Sequence, residues 1–466
     1  MPTSYLPKLI HTALDERFYR PVNAAEFPDH ILRYRNDKAA ATVGLNEMDD
    51  AQWTQHFGKF SALPDNLVTP LALCYHGHQF GRYNPDLGDG RGFLFAQMQA
   101  DDGRILDLGT KGSGQTPFSR TADGRLTLKG AVREILATEM LEALGVNTSK
   151  TFSVVETGEK LQRNDEPSPT RSAVMVRLSH SHIRIGSFQR LNYLDDGEGL
   201  EQLIRHVAQH YYADEVDSKS AIEELAPALL GCVAAAIAKT TGQWLAAGFV
   251  HGVLNTDNFN VTGESFDYGP WRFLPNFDPN LTAAYFDQTK RYAYGRQADA
   301  ALWAVCRLAD CFIRFAEKGA LEAELQKFFA MMEGSLARQI IWRLGLDVDG
   351  ERADPSEKEY GASLCRALFT AARGSNIGYA QIFHDLYGGV VRRGDYSSPQ
   401  WQEVRGLIEG QGIANPNSFF EREQAVSLTI DEVEAIWAPI AQDDDWSSLN
   451  DKIADIRTMA AALQVQ

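Results

Sequence analysis

The sequence predicts an α+β fold in two lobes, and three observations predict it. Residues 71–190 are short runs of alternating polarity split by glycines. A single stretch of helical period, 127–144, interrupts them, and from about 191 onward apolar residues recur at three and four. The chain holds 466 residues, which against a norm of roughly 150 per domain leaves room for two lobes and for segments outside them.

Residues 1–70 mix aromatics, prolines and charges (Phe18, Tyr19, Pro21, Phe27, Pro28) without a sustained period, and they read as an N-terminal extension wrapped on the body. The N-lobe, 71–190, carries strand patterns at 92–99, 105–109, 151–155 and 172–178. Its one helix brings Val132, Ile135, Leu136, Met140 and Leu144 onto one face, with Gly145 as the stop. The helical lobe, 191–390, shows helices at 198–212, 221–247, 298–315, 320–344 and 357–373. A Gly/Asn/Asp-rich stretch at 248–279 interrupts it and reads as loop, short strand, loop. Residues 391–466 form a C-terminal extension with Pro416, Pro439 and weaker helical signals.

Composition excludes several classes of function. Lys plus Arg number 45 against 62 Asp plus Glu, a net charge of −17, so the chain lacks the basic footprint of a nucleic-acid binder. Five scattered cysteines without a C-x-x-C pair suggest neither a disulfide framework nor a zinc site. They read as buried thiols in a reducing, cytoplasmic compartment. The first eighteen residues hold no continuous apolar run with a small-residue cleavage site, so no secretion signal is expected. The longest nearly apolar run, 228–238, stops at Lys239. That is short of the ~20 residues needed to cross a bilayer, so it reads as a buried helix and no membrane partner is expected.

The strongest chemical signal is His251-Gly252-Val253-Leu254-Asn255-Thr256-Asp257-Asn258, followed nine residues later by Asp267-Tyr268-Gly269. An Asp/Asn pair on a loop and a second Asp before a glycine turn offer the hard oxygens that Mg²⁺ takes together with phosphates. Protein kinases build their phosphoryl-transfer sites in this way. On that template His251, Asn258 and Asp267 fall on the His, Asn and metal-binding Asp places. The place of the catalytic base holds Val253, which cannot accept a proton. Asn255, Asp257, Asn258 and Asp267 are equally ordinary turn formers, and the upstream half decides between the two.

There Gly88-Asp89-Gly90-Arg91-Gly92 precedes one strand, the next leads into Lys111, and Glu134 lies on the single helix. A glycine-rich turn lets backbone N–H groups approach phosphates, and a Lys fixed by a helix Glu supplies a placed positive charge. The order glycine loop, Lys, helix Glu, Asn, Asp-x-Gly is the kinase order, and it makes the predicted fold protein-kinase-like. No Gly-Lys-Ser/Thr follows Gly109, which excludes a P-loop.

The runs His76-Gly77-His78-Gln79-Phe80-Gly81, Leu108-Gly109-Thr110-Lys111-Gly112-Ser113-Gly114, and 251–258 with Asp267-Tyr268-Gly269-Pro270 resemble the selenoprotein O family. The match covers about 71–307. Members are kinase-fold protein adenylyltransferases, pseudokinases that bind ATP in a flipped orientation and transfer AMP to Ser, Thr or Tyr hydroxyls of proteins. The resemblance implies phosphate and nucleotide contacts for Gly88, Gly90, Arg91, Lys111, Asp123, Gly124, Arg177 and Arg184. It implies an ion pair of Glu134 with Lys111, a proton acceptor in Asp257, and Mg²⁺ or Mn²⁺ ligands in Asn258 and Asp267. ATP and hydroxyl-bearing proteins are the implied partners.

Strand period points Arg177 away from Val174, Val176 and Leu178. Two guanidiniums converging on phosphates suit bidentate contact, while pairing of either with a surface carboxylate is the plainer alternative. The pairs His76/His78 and His180/His182 lack Cys, Asp or Glu at ligand spacing and read as ordinary polar groups. Ser113, Ser119 and Thr121 have no assignable base, and the run Asp443-Asp444-Asp445 reads as a solvated acidic patch. Two departures from the family stand out. No Cys follows Cys365, so a C-terminal cysteine or selenocysteine control is not expected, and the tail beyond Asn415-Pro416 differs from the usual ending. Three rivals remain: an orthodox kinase, against which Val253 argues; a uridylyltransferase using UTP with Mn²⁺; and an inactive nucleotide-binding scaffold.

Overall fold

The computed structural model describes residues 4–463 apart from 165, 348–354 and 414. An eight-stranded antiparallel sheet forms the N-terminal lobe, in the order Tyr19–Pro21, Leu71–Leu73, Leu94–Gln99, Ile105–Lys111, Thr170–Ser179, Lys150–Leu161, Ile31–Arg35. The short strand Leu126–Thr127 also pairs with Thr170–Ser179. Alternation decides its two faces. Val174, Val176 and Leu178 join Phe95 and Phe152 in the outer cluster, while Met175 turns inward with Ile135 and Met140.

The helix Leu128–Ala143 covers the inner face. Thr127 caps its start by accepting the Gly130 N–H, and Gly145, at φ +70°, ends it in the left-handed conformation that glycine adopts without strain. The outer face is covered by the first 70 residues, which are more than a wrapped extension. Two of their strands close the two edges of the sheet, and the helix Asp50–Phe57 stacks Trp53 on Phe152 at 4.9 Å. Burial of each such ring contributes roughly 1.5–3 kcal/mol, and the closed edges leave the sheet fewer unpaired backbone groups.

The helix Ile222–Ala247 is the axis of the helical lobe, packed by Gln297–Phe312 and Phe328–Arg343. Gly242 lets Phe328–Arg343 approach its backbone, since a Cβ there would lie 2.6 Å from the Met332 carbonyl. By length and composition this helix could cross a membrane; most of its apolar window is buried in the lobe. The helix expected at 320–344 is two, Lys318–Leu325 and Phe328–Arg343, broken at Gln326 and Lys327, where the Lys327 ammonium turns back to Glu324.

The C-terminal region also departs from expectation. Two full helices, Ile430–Asp443 and Ser447–Leu463, pack against Leu128–Ala143. The first carries Pro439 in its interior, a costly placement offset by burial of Val433, Ile436 and Ile440 and by a capping box between Thr429 and Glu432. The acidic run is not simply solvated. Asp444 accepts from Arg171 at 2.7 Å and Arg33 at 3.0 Å, which ties the tail to the sheet.

Candidate functional site

At the end of the axial helix, Gly248 turns the chain left-handed, and two short antiparallel strands, Phe249–Val250 and Arg272–Phe273, form the base of the loop that carries the motif. His251 is buried at its root. Its Nε2 lies 2.9 Å from the Phe266 carbonyl, and its backbone N–H donates to Gln297. The loop is therefore pinned one residue before Asp267. Gly252 (φ +85°) must be glycine, because a Cβ would fall 1.8 Å from the Pro270 carbonyl. The far side is stitched to the N-lobe: Ser265 N–H donates to Asn147, Ser149 N–H donates back to Ser265, and Tyr268 bridges Thr148 and Ser265. Asp267 itself sits at φ +62°, a strained value for a non-glycine residue that this stitching maintains.

Lys111 and Arg177 reach Asp267 from one face of the sheet. Their strands pair Lys111 with Met175 and Gly109 with Arg177, so period two directs both cations inward. The Lys111 ammonium is hydrogen-bonded to buried Glu134 and lies 2.9 Å from Asp267 Oδ1; Arg177 reaches the same oxygen at 3.4 Å. Burial pushes the Asp267 carboxyl up, but Lys111, Arg177 and Arg91 overturn that and hold it well below the ordinary carboxylate range. Arg184 is also buried and pairs with Asp89 of the glycine loop at 2.9 Å. Both guanidiniums lie over the Phe266 ring, at 5.0 and 5.2 Å. The two arginines thus converge, and their partners are site carboxylates rather than surface ones.

Asp257 differs in kind. Its Oδ1 is sealed from solvent without a hydrogen-bond partner among the described residues, and a Cβ on Gly77 would stand 3.0 Å from it. Desolvation pushes the carboxyl up to about 7, with Arg184 opposing. The hairpin of Gly77–Gln79 and Arg82–Asn84 lies over this loop, His78 N–H donating to Thr256 and Phe80 N–H to Asn255. The histidines 76, 78, 180 and 182 form no metal cluster among the described residues.

The glycine loop rests on residues 116–119. Gly88 and Gly90 leave room for Phe118, and Thr116 and Ser119 donate to the carbonyls of Asp89 and Gly90. Ser119 is thereby a structural donor. Arg91 is exposed beside this loop and acts on Asp267 through its charge. Asp123 is paired with Arg163 at 2.8 Å and half exposed, and Gly124 packs on Gly114. Among the described residues no hydrogen bond or ion pair joins these two to Lys111 or Asp267, although the Gly114 N–H of the loop after Lys111 donates to the Gly124 carbonyl. Sequence reasoning missed Asp89, Phe266 and His182. The first was in view inside the glycine motif, but its partner Arg184 lies 95 positions away.

The donor set fits a divalent metal. The Asn258 amide nitrogen donates to the Val253 carbonyl at 2.9 Å, which turns its oxygen the other way, and Lys111 and Arg177 both meet Asp267 at Oδ1. Among the described residues no three His, Cys, Asp or Glu side chains gather to hold a metal alone. Two oxygen donors completed by phosphates and water are the usual Mg²⁺ arrangement.

The arrangement has relatives. The model of the family "Protein adenylyltransferase SelO" matches residues 3–409, well beyond the 71–307 that the motifs cover. A protein nucleotidyltransferase YdiU of Synechocystis sp. is 40% identical over 98% of this chain and 98% of its own. Another from Trichormus variabilis is 38% identical over 98% and 96%. Among solved structures, ROP2 from Toxoplasma gondii, described as having a protein-kinase fold and no enzymatic activity, is 9% identical. It covers 65% of this chain and 84% of its own at a TM-score of 0.28, a likeness too loose to carry an argument. With the Lys111–Glu134 pair, the glycine loop and the Asp267 turn in kinase order, and with a family match along most of its length, the chain belongs to the SelO family of protein nucleotidyltransferases.

Proposed function

We propose that this chain transfers AMP from ATP to Ser, Thr or Tyr hydroxyls of other proteins in a metal-dependent reaction. One observation carries the reading. The cationic end of a kinase site is complete, Val253 stands where a kinase has its base, and the nearby Asp257 keeps one carboxyl oxygen sealed from solvent, which supports Asp257 as the proton acceptor. A carboxyl raised to about 7 suits proton acceptance near neutral pH. Lys111, Arg177 and Arg184 supply the positive charge that holds phosphates, and Arg177 and Arg184 offer planar bidentate donors. Asn258 and Asp267 would hold the divalent ion, which contributes neutralising charge at phosphate oxygens.

In this scheme the target hydroxyl gives its proton to Asp257 and its oxygen attacks the α-phosphorus. The bond to the bridging oxygen breaks, and pyrophosphate leaves against the cations. Arg91, at the mouth, would meet the nucleotide from outside. Asp123 and Gly124, beside the loop that follows Lys111, would meet the nucleotide from that side.

The test uses ATP labelled at either the α or the γ phosphate, and UTP labelled at α, each with Mg²⁺ or Mn²⁺ and an acceptor protein. Label from α-ATP alone supports adenylylation. Label from γ makes the chain a kinase despite Val253, a preference for UTP makes it a uridylyltransferase, and nucleotide binding without any label makes it a scaffold.

A further inference from the structure

A buried relay runs from the N-terminal segment to the Arg177 guanidinium. We propose that His182 is a positioning residue: held in its Nδ1–H form by Asp107, it fixes the plane in which Arg177 meets the nucleotide phosphates. This rests on the reading of the site as a nucleotide site.

The relay is determined atom by atom. Gln97 Oε1 accepts the backbone N–H groups of Ile10 at 3.0 Å and His11 at 2.8 Å, so its amide cannot turn over. Its Nε2 donates to Asp107 Oδ1 at 2.8 Å, and Asp107 Oδ2 lies 3.3 Å from His182 Nδ1. His182 Nε2 lies 3.3 Å from Arg177 Nε. An arginine Nε always carries its proton, so His182 Nε2 is the acceptor and Nδ1 bears the hydrogen that Asp107 receives. All four residues are buried, none more than 5% exposed. Gly109, opposite Arg177 in the sheet, makes the seat, since a Cβ there would lie 2.1 Å from His182 Nε2.

The consequence falls on Arg177. Its Nε is bonded to His182, its flat face lies over Phe266, and Nη1 is left to reach the site, where it meets Asp267. A guanidinium anchored in this way presents its fork without the cost of ordering it at binding.

Asp107→Asn tests the relay at constant shape. With Gln97 pinned, the new carboxamide must turn its oxygen to Gln97 and its NH₂ to His182 Nδ1. The imidazole then carries hydrogen on Nε2, donor against donor with Arg177, by the same tautomer logic that applies to Asp–His pairs elsewhere. The expected result is a loss of ATP affinity of about tenfold by calorimetry. Nitrogen-15 spectra of histidine-labelled protein should show His182 changing from the Nδ1–H to the Nε2–H form. In an Arg177→Ala background the same substitution should change affinity by less than about twofold, since its effect passes through the missing guanidinium. His182→Gln, which keeps an acceptor for Arg177, should stay within about threefold of the parent, while His182→Leu should match Asp107→Asn and replaces it if that variant does not fold. A tautomer switch with unchanged ATP affinity overturns the proposal, as does a loss that persists in the Arg177→Ala background. Binding without AMP transfer overturns the adenylylation reading and leaves the relay standing; absence of nucleotide binding in the parent chain overturns both.

Discussion

A carboxyl sealed against Gly77 and one shared by two cations respond differently to losing a charge. Asp257→Asn keeps the shape of the loop but cannot take a proton, so transfer should fall by about 10²–10⁴, the usual worth of a positioned base. Nucleotide affinity should stay within about threefold, because Asp257 adds little to holding phosphates. Asp267→Asn removes the common partner of Lys111 and Arg177 and one of the two oxygen donors. Its metal-dependent ATP affinity should drop by about tenfold or more. Calorimetric titration with ATP and Mg²⁺ separates the two, and equal affinities in both variants would refute this division of labour. Lys111, Glu134 and Asp267 were legible in the sequence because their chemistry and order mark them. His182 was not. Its sequence signal, a histidine two residues from another, is that of an ordinary polar residue, and its role comes from Arg177, Asp107 and Gly109 closing around it.

At the scale of the element, the loop 263–267 joins the two lobes, and Glu264 is buried in it with one oxygen accepting the His180 N–H at 2.8 Å. Desolvation pushes its carboxyl from the ordinary 4.5 up to about 7. The sign follows from proton counting. Below 4.5 both states are protonated and nothing is lost; between 4.5 and 7 the unfolded chain releases the proton first, so stability falls as pH rises. Above 7 the full cost, about 3 kcal/mol, is present. Glu264→Gln retains an acceptor for His180 and carries no charge. Its melting temperature should exceed the parent's at pH 8, and the gap should close at pH 5; a gap independent of pH would mean Glu264 does not titrate there. Elements themselves were legible where local chemistry decides them: Thr127 and Gly145 bound the helix Leu128–Ala143 within a residue of expectation. They were not legible where packing overrides it. Pro439 weakened the pattern of Ile430–Asp443, and no change of period marks the break at Gln326.

The helix that holds Glu134 is reached from both terminal regions, by Tyr34 of the edge strand Ile31–Arg35 and by the last two helices. The strands Tyr19–Pro21 and Ile31–Arg35 close the sheet from opposite edges, pairing with partners about 50 and 120 positions away. Asp444 finds Arg171 across 273 positions. Such pairings leave no local trace, and the termini therefore looked like decoration. Their function is visible at Glu139, five residues beyond Glu134 on the same helix and nearly fully buried. It accepts from Tyr34 of the N-terminal region at 2.5 Å and from Arg457 of the last helix at 2.6 and 3.0 Å. Arg457→Met preserves most of the apolar stem but leaves this carboxylate with Tyr34 alone. Arg457 is about half exposed, so solvent replaces part of the lost interaction, and the expected cost is about 1–2 kcal/mol rather than the 3–5 of a fully buried pair. Glu139→Gln in the same background should recover most of that loss, because the charge left behind is gone. The melting temperatures of the two single variants and the double variant measure this directly. If the termini serve the site through this helix, Arg457→Met should also lower ATP affinity and the double variant should restore it. A destabilised Arg457→Met chain with the parent's affinity would show that the C-terminal helices brace the fold without touching the Lys111–Glu134 pair.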